Sequence, residues 1–283
     1  MKVFSSMSNK DYHEHGSDYI SSSFVKSVAK HSIAKALQPI EPNQALIFGD
    51  AMHTYFESKT DFHSRFVTFD DAEVISSILE ARPEITAPTM TKEYKAFRRE
   101  FEKTVEADQT ILSAFDVERI EHMYNSVKNN KAVWEINERY EYDAVWDEYS
   151  FFTDDTFKKF SPLKFRVRPD KMLVAQENPM AIIDWKSCKD ASISAFRSDF
   201  FRYRYDIQAI FYCMVLGLEY SDFYFVAIEK EYPYNSAVYT ISYETYTKAA
   251  NDMTTALVQI AEWKDHPEKS SIGILNQNTI TEL

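Results

Sequence analysis

Apolar positions change their spacing along this chain, and each change marks an element. From Ser21 a run of serines leads into Phe24, Val25, Val28 and Ala29. That is the spacing of a helix opened by a serine cap, and Pro39 and Pro42 close it. Asn43 precedes a second helical pattern, in which Leu46, Gly49, His53 and Phe56 recur at helical intervals, as do Ala45, Met52 and Tyr55. Apolar residues on so much of the circumference predict a buried helix. Residues 63–140 predict a mostly helical stretch of mixed charge, broken at Pro83 and Pro88, with helices over 93–105 and 111–130. Residues 1–18 are polar and are expected to fray.

From Tyr140 the period shortens to two. Tyr142, Ala144 and Trp146 mark one strand. Phe165 and Val167 open another, expected to run on through Met172-Leu-Val. Ala181-Ile-Ile-Asp-Trp-Lys makes a third after the turn signal Glu177-Asn-Pro. An antiparallel meander follows from this pattern. Next come an apolar helix over 206–216 stopped by Gly217 at its C′ position, an aromatic and β-branched strand over 222–229, a hairpin partner at 238–241, a closing helix over 244–263 and a polar tail. The order predicts an α/β core around a central mixed sheet.

Composition removes several function classes. A chain of 283 residues, 45% hydrophobic and 27% charged, is no disordered segment. Two cysteines, Cys188 and Cys213, supply neither a disulfide framework nor a four-cysteine metal site. Four glycines leave no glycine-rich phosphate loop. The longest uncharged apolar run, 209–218, is too short to span a bilayer, and the start has no apolar core for a secretory signal. A soluble protein of a reducing compartment, without a membrane partner, is expected. The formal net charge of −12 argues against a polyanion partner. Between Lys158 and Tyr212, however, eleven basic residues face six acidic ones, and a local patch matters more than the total.

The residues that carry chemistry lie in that segment. Asp170 closes Arg166-Val-Arg-Pro-Asp, and Asp184 precedes Lys186 by two on the following strand. Residues i and i+2 share a strand face, and a hairpin through Glu177-Asn-Pro brings Asp170 to the same end. Two carboxylates and an ammonium there suit a divalent cation with oxygen ligands, Mg²⁺ or Mn²⁺. The same spacing also describes an ion pair on a half-exposed strand. Burial of the flanking Ala181-Ile-Ile and Trp185 favours the site, because a charged pair in so apolar a strand needs partners. His53 and Glu57 share a helix face, as do Gln208 and Tyr212 with Tyr205. These sets read either as site residues or as a core histidine and a polar helix seam. Arg197, Arg202 and Arg204 read either as phosphate contacts or as solvated surface.

Asp170 with Asp184-Trp-Lys186 resembles the metal-site signature of the PD-(D/E)XK nuclease superfamily. Phe48-Gly-Asp-Ala-Met-His53 resembles the Gly-x-x-x-His motif of its RecE-like and RecB-like exonuclease branch. Gln208-Ala-Ile-Phe-Tyr212 resembles that branch's Gln-x-x-x-Tyr motif, and Phe225-Val-Ala-Ile-Glu229 with Pro233-Tyr234 resembles a stretch of RecE-type enzymes. Asp184 stands where the family often has Glu. Asp50, inside the histidine motif, has no role in the pattern.

The resemblance implies a restriction-endonuclease-like α/β core, a central mixed β-sheet flanked by helices, with a helical insertion. It divides one structural domain into N-terminal helices (1–62), the insertion (63–140), the nuclease core (141–263) and a tail (264–283). It implies a Mg²⁺-dependent DNA exonuclease, with Mn²⁺ as a substitute, that degrades linear double-stranded DNA 5′ to 3′ in recombination or repair. Asp170, Asp184 and Lys186 are the implied catalytic residues, and His53 and the Trp185 carbonyl join the two acids as metal ligands. Glu57, Gln208, Tyr212, Arg197, Arg202 and Arg204 are the implied auxiliary and DNA-binding residues. A single-strand annealing partner, a homo-oligomeric ring and a cytoplasmic location, in bacteria or in a phage host, follow from the same likeness. The alternatives are an endonuclease or nickase on the same core, and an inactive DNA-end-binding or protein-binding module. A nuclease of the CRISPR-adaptation kind needs a cysteine cluster that this chain lacks.

Overall fold

The computed structural model describes residues 1–4, 7–39, 41, 43–153, 160 and 163–267. In chain order the elements begin with β1 (Lys2–Phe4), α1 (Asn9–His15), β2 (Ile20–Ser21), α2 (Ser22–Lys30) and α3 (Ile33–Ala36). Then come α4 (Gln44–Glu57), α5 (Lys59–Arg65), β3 (Phe66–Phe69), α6 (Ala72–Ala81), α7 (Lys92–Glu102), β4 (Thr110–Ser113), α8 (Ala114–Lys128) and α9 (Lys131–Arg139). The remainder is β5 (Ala144–Asp147), β6 (Ser150–Thr153), β7 (Phe165–Val167), β8 (Lys171–Ala175), β9 (Asn178–Cys188), α10 (Ile193–Arg202), α11 (Tyr205–Leu216), β10 (Phe223–Glu229), β11 (Ser236–Tyr239) and α12 (Tyr243–Asp265). They form two compact units. The first takes Met1–Glu41, Asn129–Glu229 and the described residues from Asn235 onward; the second takes Pro42–Lys128 with Lys230–Tyr234. This partition differs from the four segments read off the sequence. Most of the expected tail lies outside the described residues.

The first unit holds the expected mixed sheet, in the order β11-β10-β9-β8-β5. β5, β8 and β9 are antiparallel neighbours, as the alternation predicted. The turn between β8 and β9 is made by Gln176 and Glu177, both at positive φ. β10 runs parallel to β9, pairing Phe225 with Asp184 and Ala227 with Lys186. A parallel neighbour needs a crossover, and α10 and α11 supply it. Ten of the twelve residues of α11 are buried, so this helix is enclosed rather than laid on the surface. α2 packs on both α11 and α12. Caps set the helix starts: the Ser21 and Ser242 hydroxyls accept from the Phe24 and Thr245 N–H groups.

Two expectations need correction. Phe165–Val167 does not run on into Met172-Leu-Val; β7 joins a separate sheet of order β1-β6-β7-β2, and only β8 enters the large one. Pro169 lies between them and cannot donate to a ladder. Among the described residues of the first eighteen, Lys2–Phe4 and Asn9–His15 carry structure rather than fraying. β1 pairs with β6, and the His15 ring packs edge-on against Phe152 at 4.7 Å.

The second unit is mostly helical, with one departure: Phe66–Phe69 and Thr110–Ser113 form a two-stranded parallel sheet, so the helix expected over 111–130 starts only at Ala114. α4 begins where Asn43 accepts from the Leu46 N–H at 3.1 Å. It is buried on one side, through Phe48, Ala51, Met52 and Tyr55, while Leu46 is half exposed. Asp50 acquires a role here: its carboxylate pairs with Arg65 at 2.6 Å, and Arg65 also donates to Thr54.

Gly217 ends α11 at φ +72°, with open space where a Cβ would stand. Gly217→Ala therefore pays only the left-handed backbone penalty, roughly 1–2 kcal/mol, and the guanidinium unfolding midpoint should fall accordingly.

Candidate active site

The antiparallel register of β8 and β9 builds the site. Lys171 pairs with Ile183, and the next step of that register sets Asp170 opposite Asp184, on one face of the sheet. Asp170 Oδ2 accepts the Trp185 backbone N–H at 2.8 Å, which ties the end of one strand to the middle of the next. Asp184 is 1% exposed. Lys186 lies two residues on, and its ammonium meets Asp184 Oδ2. Burial pulls the Lys186 pKa down, but the Asp184 and Asp170 carboxylates outweigh it and raise the net value, so this lysine is an ammonium at neutral pH.

α11 covers the same face. Gln208 Nε2 donates to Asp184 Oδ1 at 2.8 Å. The Tyr205 ring centroid lies 4.9 Å from the Lys186 ammonium, and burial pushes the Tyr205 phenol up to about 12. Tyr212, one turn after Gln208, donates to the Arg168 carbonyl at 3.1 Å; burial raises its pKa well above the usual range. Gln208 thus touches the buried acid itself, and Tyr212 holds the chain two residues before Asp170.

One acid escaped the sequence reading. Glu148 sits in the turn between β5 and β6 at φ +49°. Its N–H donates to the Asp170 carbonyl at 3.1 Å, and a Glu148 carboxylate oxygen lies within 4.8 Å of one from Asp170. Arg168 steadies it, donating to the Glu148 carbonyl at 3.0 Å and approaching the carboxylate at 3.6 Å. No periodicity or motif marks a glutamate in a tight turn. Carboxylate oxygens of Asp170 and Glu148, with Asp184 opposite Asp170 in the strand register, are the hard donors that Mg²⁺ and Mn²⁺ prefer, so the residues present fit such an ion.

The other sequence candidates divide. His53 is half-buried and Glu57 exposed on α4, in the second unit. Arg197 and Arg202 are exposed on α10, over the rings of Phe201 and Tyr203. Arg204 is committed internally: it makes two bonds to Asp206, at 3.0 and 3.1 Å, and one to Asp252 at 2.6 Å. Glu229 is structural too, accepting from the Ala191 and Asn235 N–H groups at 3.1 Å each. Tyr234 stacks on His122 at 4.8 Å. Four of the eleven basic residues counted in the sequence are thus engaged within the fold. Arg166 donates to the Tyr12 carbonyl, Arg168 serves Glu148, Lys186 serves Asp184, and Arg204 serves two aspartates.

Arg204→Met would leave Asp206, which is 2% exposed, without its cation. The expected loss is about 3 kcal/mol of folding free energy, read from urea denaturation.

Comparison with known proteins bears on the family and the fold. Residues 21–272 match the family described as PDDEXK-like domain of unknown function (DUF3799). No curated protein matches the sequence. A solved structure described as “Putative exonuclease” from Eubacterium rectale superposes with a TM-score of 0.51 at 12% identity, over 91% of this chain and 87% of that one. At that identity the likeness speaks for the fold alone. A second structure, SSO0001, shares 14% identity over 75% of this chain and 87% of its own, with a TM-score of 0.28, too slight to carry an argument. The family match takes in β8, β9 and α11, the elements that assemble the site, and this chain belongs to that PDDEXK-like family.

Proposed function

We propose that the protein is a metal-dependent deoxyribonuclease, an exonuclease that hydrolyses phosphodiester bonds of linear double-stranded DNA. The observation that carries this reading is the β8–β9 register, which brings Asp170 to the strand bearing Asp184 and Lys186. Asp170, Asp184 and Glu148 would hold Mg²⁺, or Mn²⁺ in its place, with His53 and the Trp185 carbonyl as further ligands. Bound there, the ion supplies Lewis-acid polarisation of a phosphoryl oxygen and a water of lowered pKa.

The chain's own groups do the rest. The Lys186 ammonium, next to Asp184, donates to the attacking water and offsets charge that develops on the phosphate. Gln208 fixes Asp184, Tyr212 fixes the strand entry to Asp170, and Glu57 supports the histidine helix. Arg197 and Arg202, exposed on α10, meet the DNA backbone. The 5′-to-3′ direction, the place in recombination or repair and an annealing partner rest on the resemblance to RecE-type enzymes.

Digestion of linear duplexes with a blocked 5′ or 3′ end, with and without Mg²⁺, tests the reading. Loss of product is expected with EDTA and with the 5′ end blocked, and closed circular DNA is expected to survive. Lys186→Ala should abolish the digestion and keep the far-ultraviolet circular dichroism of the fold. Wild-type activity in that variant would remove Lys186 from the mechanism, and nicking of closed circles would turn the assignment to an endonuclease.

A further inference from the structure

The site contains a second lysine. Lys26 lies on α2, in the unit that carries β8, β9 and α11. Its Nζ donates to Gln208 Oε1 at 3.1 Å, while the other end of the same amide, Nε2, donates to Asp184 Oδ1 at 2.8 Å. Lys26 and Lys186 also share the Tyr205 ring, at 5.6 and 4.9 Å from its centroid. Burial, then the Lys186 charge, draws the Lys26 pKa down to about 8, against the pull of Asp184 and Asp206. At neutral pH it is therefore still mostly an ammonium.

The chemistry of this chain of contacts has one consistent orientation. An ammonium has only donors, and an ionised carboxylate only acceptors. A carboxamide between them satisfies both neighbours when its oxygen faces the lysine and its NH₂ faces the acid. The flipped amide sets oxygen against carboxylate and NH₂ against ammonium, and fails at both ends. Asp184 already calls for the NH₂ end, and the ammonium on the oxygen side makes the flipped amide fail a second time. A leucine or methionine at position 26 would fill the space but leave the amide oxygen without its donor, so that Asp184 alone would hold the amide in place.

We propose that Lys26 is a positioning residue of the metal site, which locks the Gln208 amide so that Asp184 receives a donor on Oδ1 and presents Oδ2 to Lys186. The geometry rests on the hydrogen bonds above, and its consequence for metal binding rests on the nuclease reading. A supporting residue of this kind is worth on the order of 10–100-fold in metal affinity.

The test is a double-mutant cycle read by Mn²⁺ calorimetry on the full chain, with kcat and KM on linear duplex measured in parallel. Lys26→Met should weaken Mn²⁺ binding about 10–100-fold and lower kcat with KM for DNA unchanged. Lys26→Arg, which restores a donor, should recover most of the affinity. In a Gln208→Ala background Lys26→Met should cost nothing further, because the amide it orients is gone. A lysine that merely packs α2 would lose the same factor in both backgrounds, and that result overturns the proposal. So does wild-type Mn²⁺ affinity in both Lys26→Met and Lys26→Gln, each checked for folding by its thermal midpoint. Coupling in the Mn²⁺ data from a protein that cleaves no DNA would sustain the Lys26 inference and refute the nuclease reading. Absence of any Mn²⁺ site in the wild type would overturn both.

Discussion

A carboxylate that is 1% exposed in the middle strand of a sheet constrains everything packed around it. Taking such an ion out of water costs several kcal/mol unless donors replace the lost hydration. Asp184 has two of them in place, the Lys186 ammonium and the Gln208 amide. Each arrives by a different route. Lys186 comes from the pleat, which puts residues two apart on one face. Gln208 comes from the crossover helix that the parallel pairing of β9 and β10 requires. The sheet topology and the charge balance of the site are therefore one requirement seen twice.

The surroundings extend this logic outward. α11 is enclosed, and it enters the core through a non-glycine residue in the left-handed region, Arg204 at φ +54°. The two carboxylates that grip the Arg204 side chain hold that entry. Arg168 braces the Glu148 turn while its own carbonyl accepts a hydrogen bond from the Tyr212 hydroxyl. Cations here mostly organise acids. Arg197 and Arg202 of α10 are exposed instead, as are Lys164 and Lys189 of the same segment.

The sequence announced β9, β10 and α11 because burial forces apolar residues into runs with a recognisable period. Asp184 and Lys186 stood out against the same background. Short elements carry no such signal: β7 has three residues, and β3 and β4 have four each, too few for a period to show. Pro169 was the available sign that β7 and β8 are separate strands. Glu148 and Lys26 were not legible at all. One lies in a turn, and the other is one of many lysines on helix flanks. Their importance comes from partners twenty-two and 182 positions away along the chain, Asp170 and Gln208. Arg204 was legible only in part, since one of its partners, Asp206, lies two residues on and the other, Asp252, lies 48 residues downstream.

The most direct measurement is anomalous diffraction from crystals of the protein soaked in Mn²⁺. The account predicts a manganese peak with oxygen ligands from both Asp170 and Asp184 at about 2.1 Å, beside the Lys186 ammonium. Carboxylates at 170 and 184 turned away from one another, with no peak between them, would contradict it.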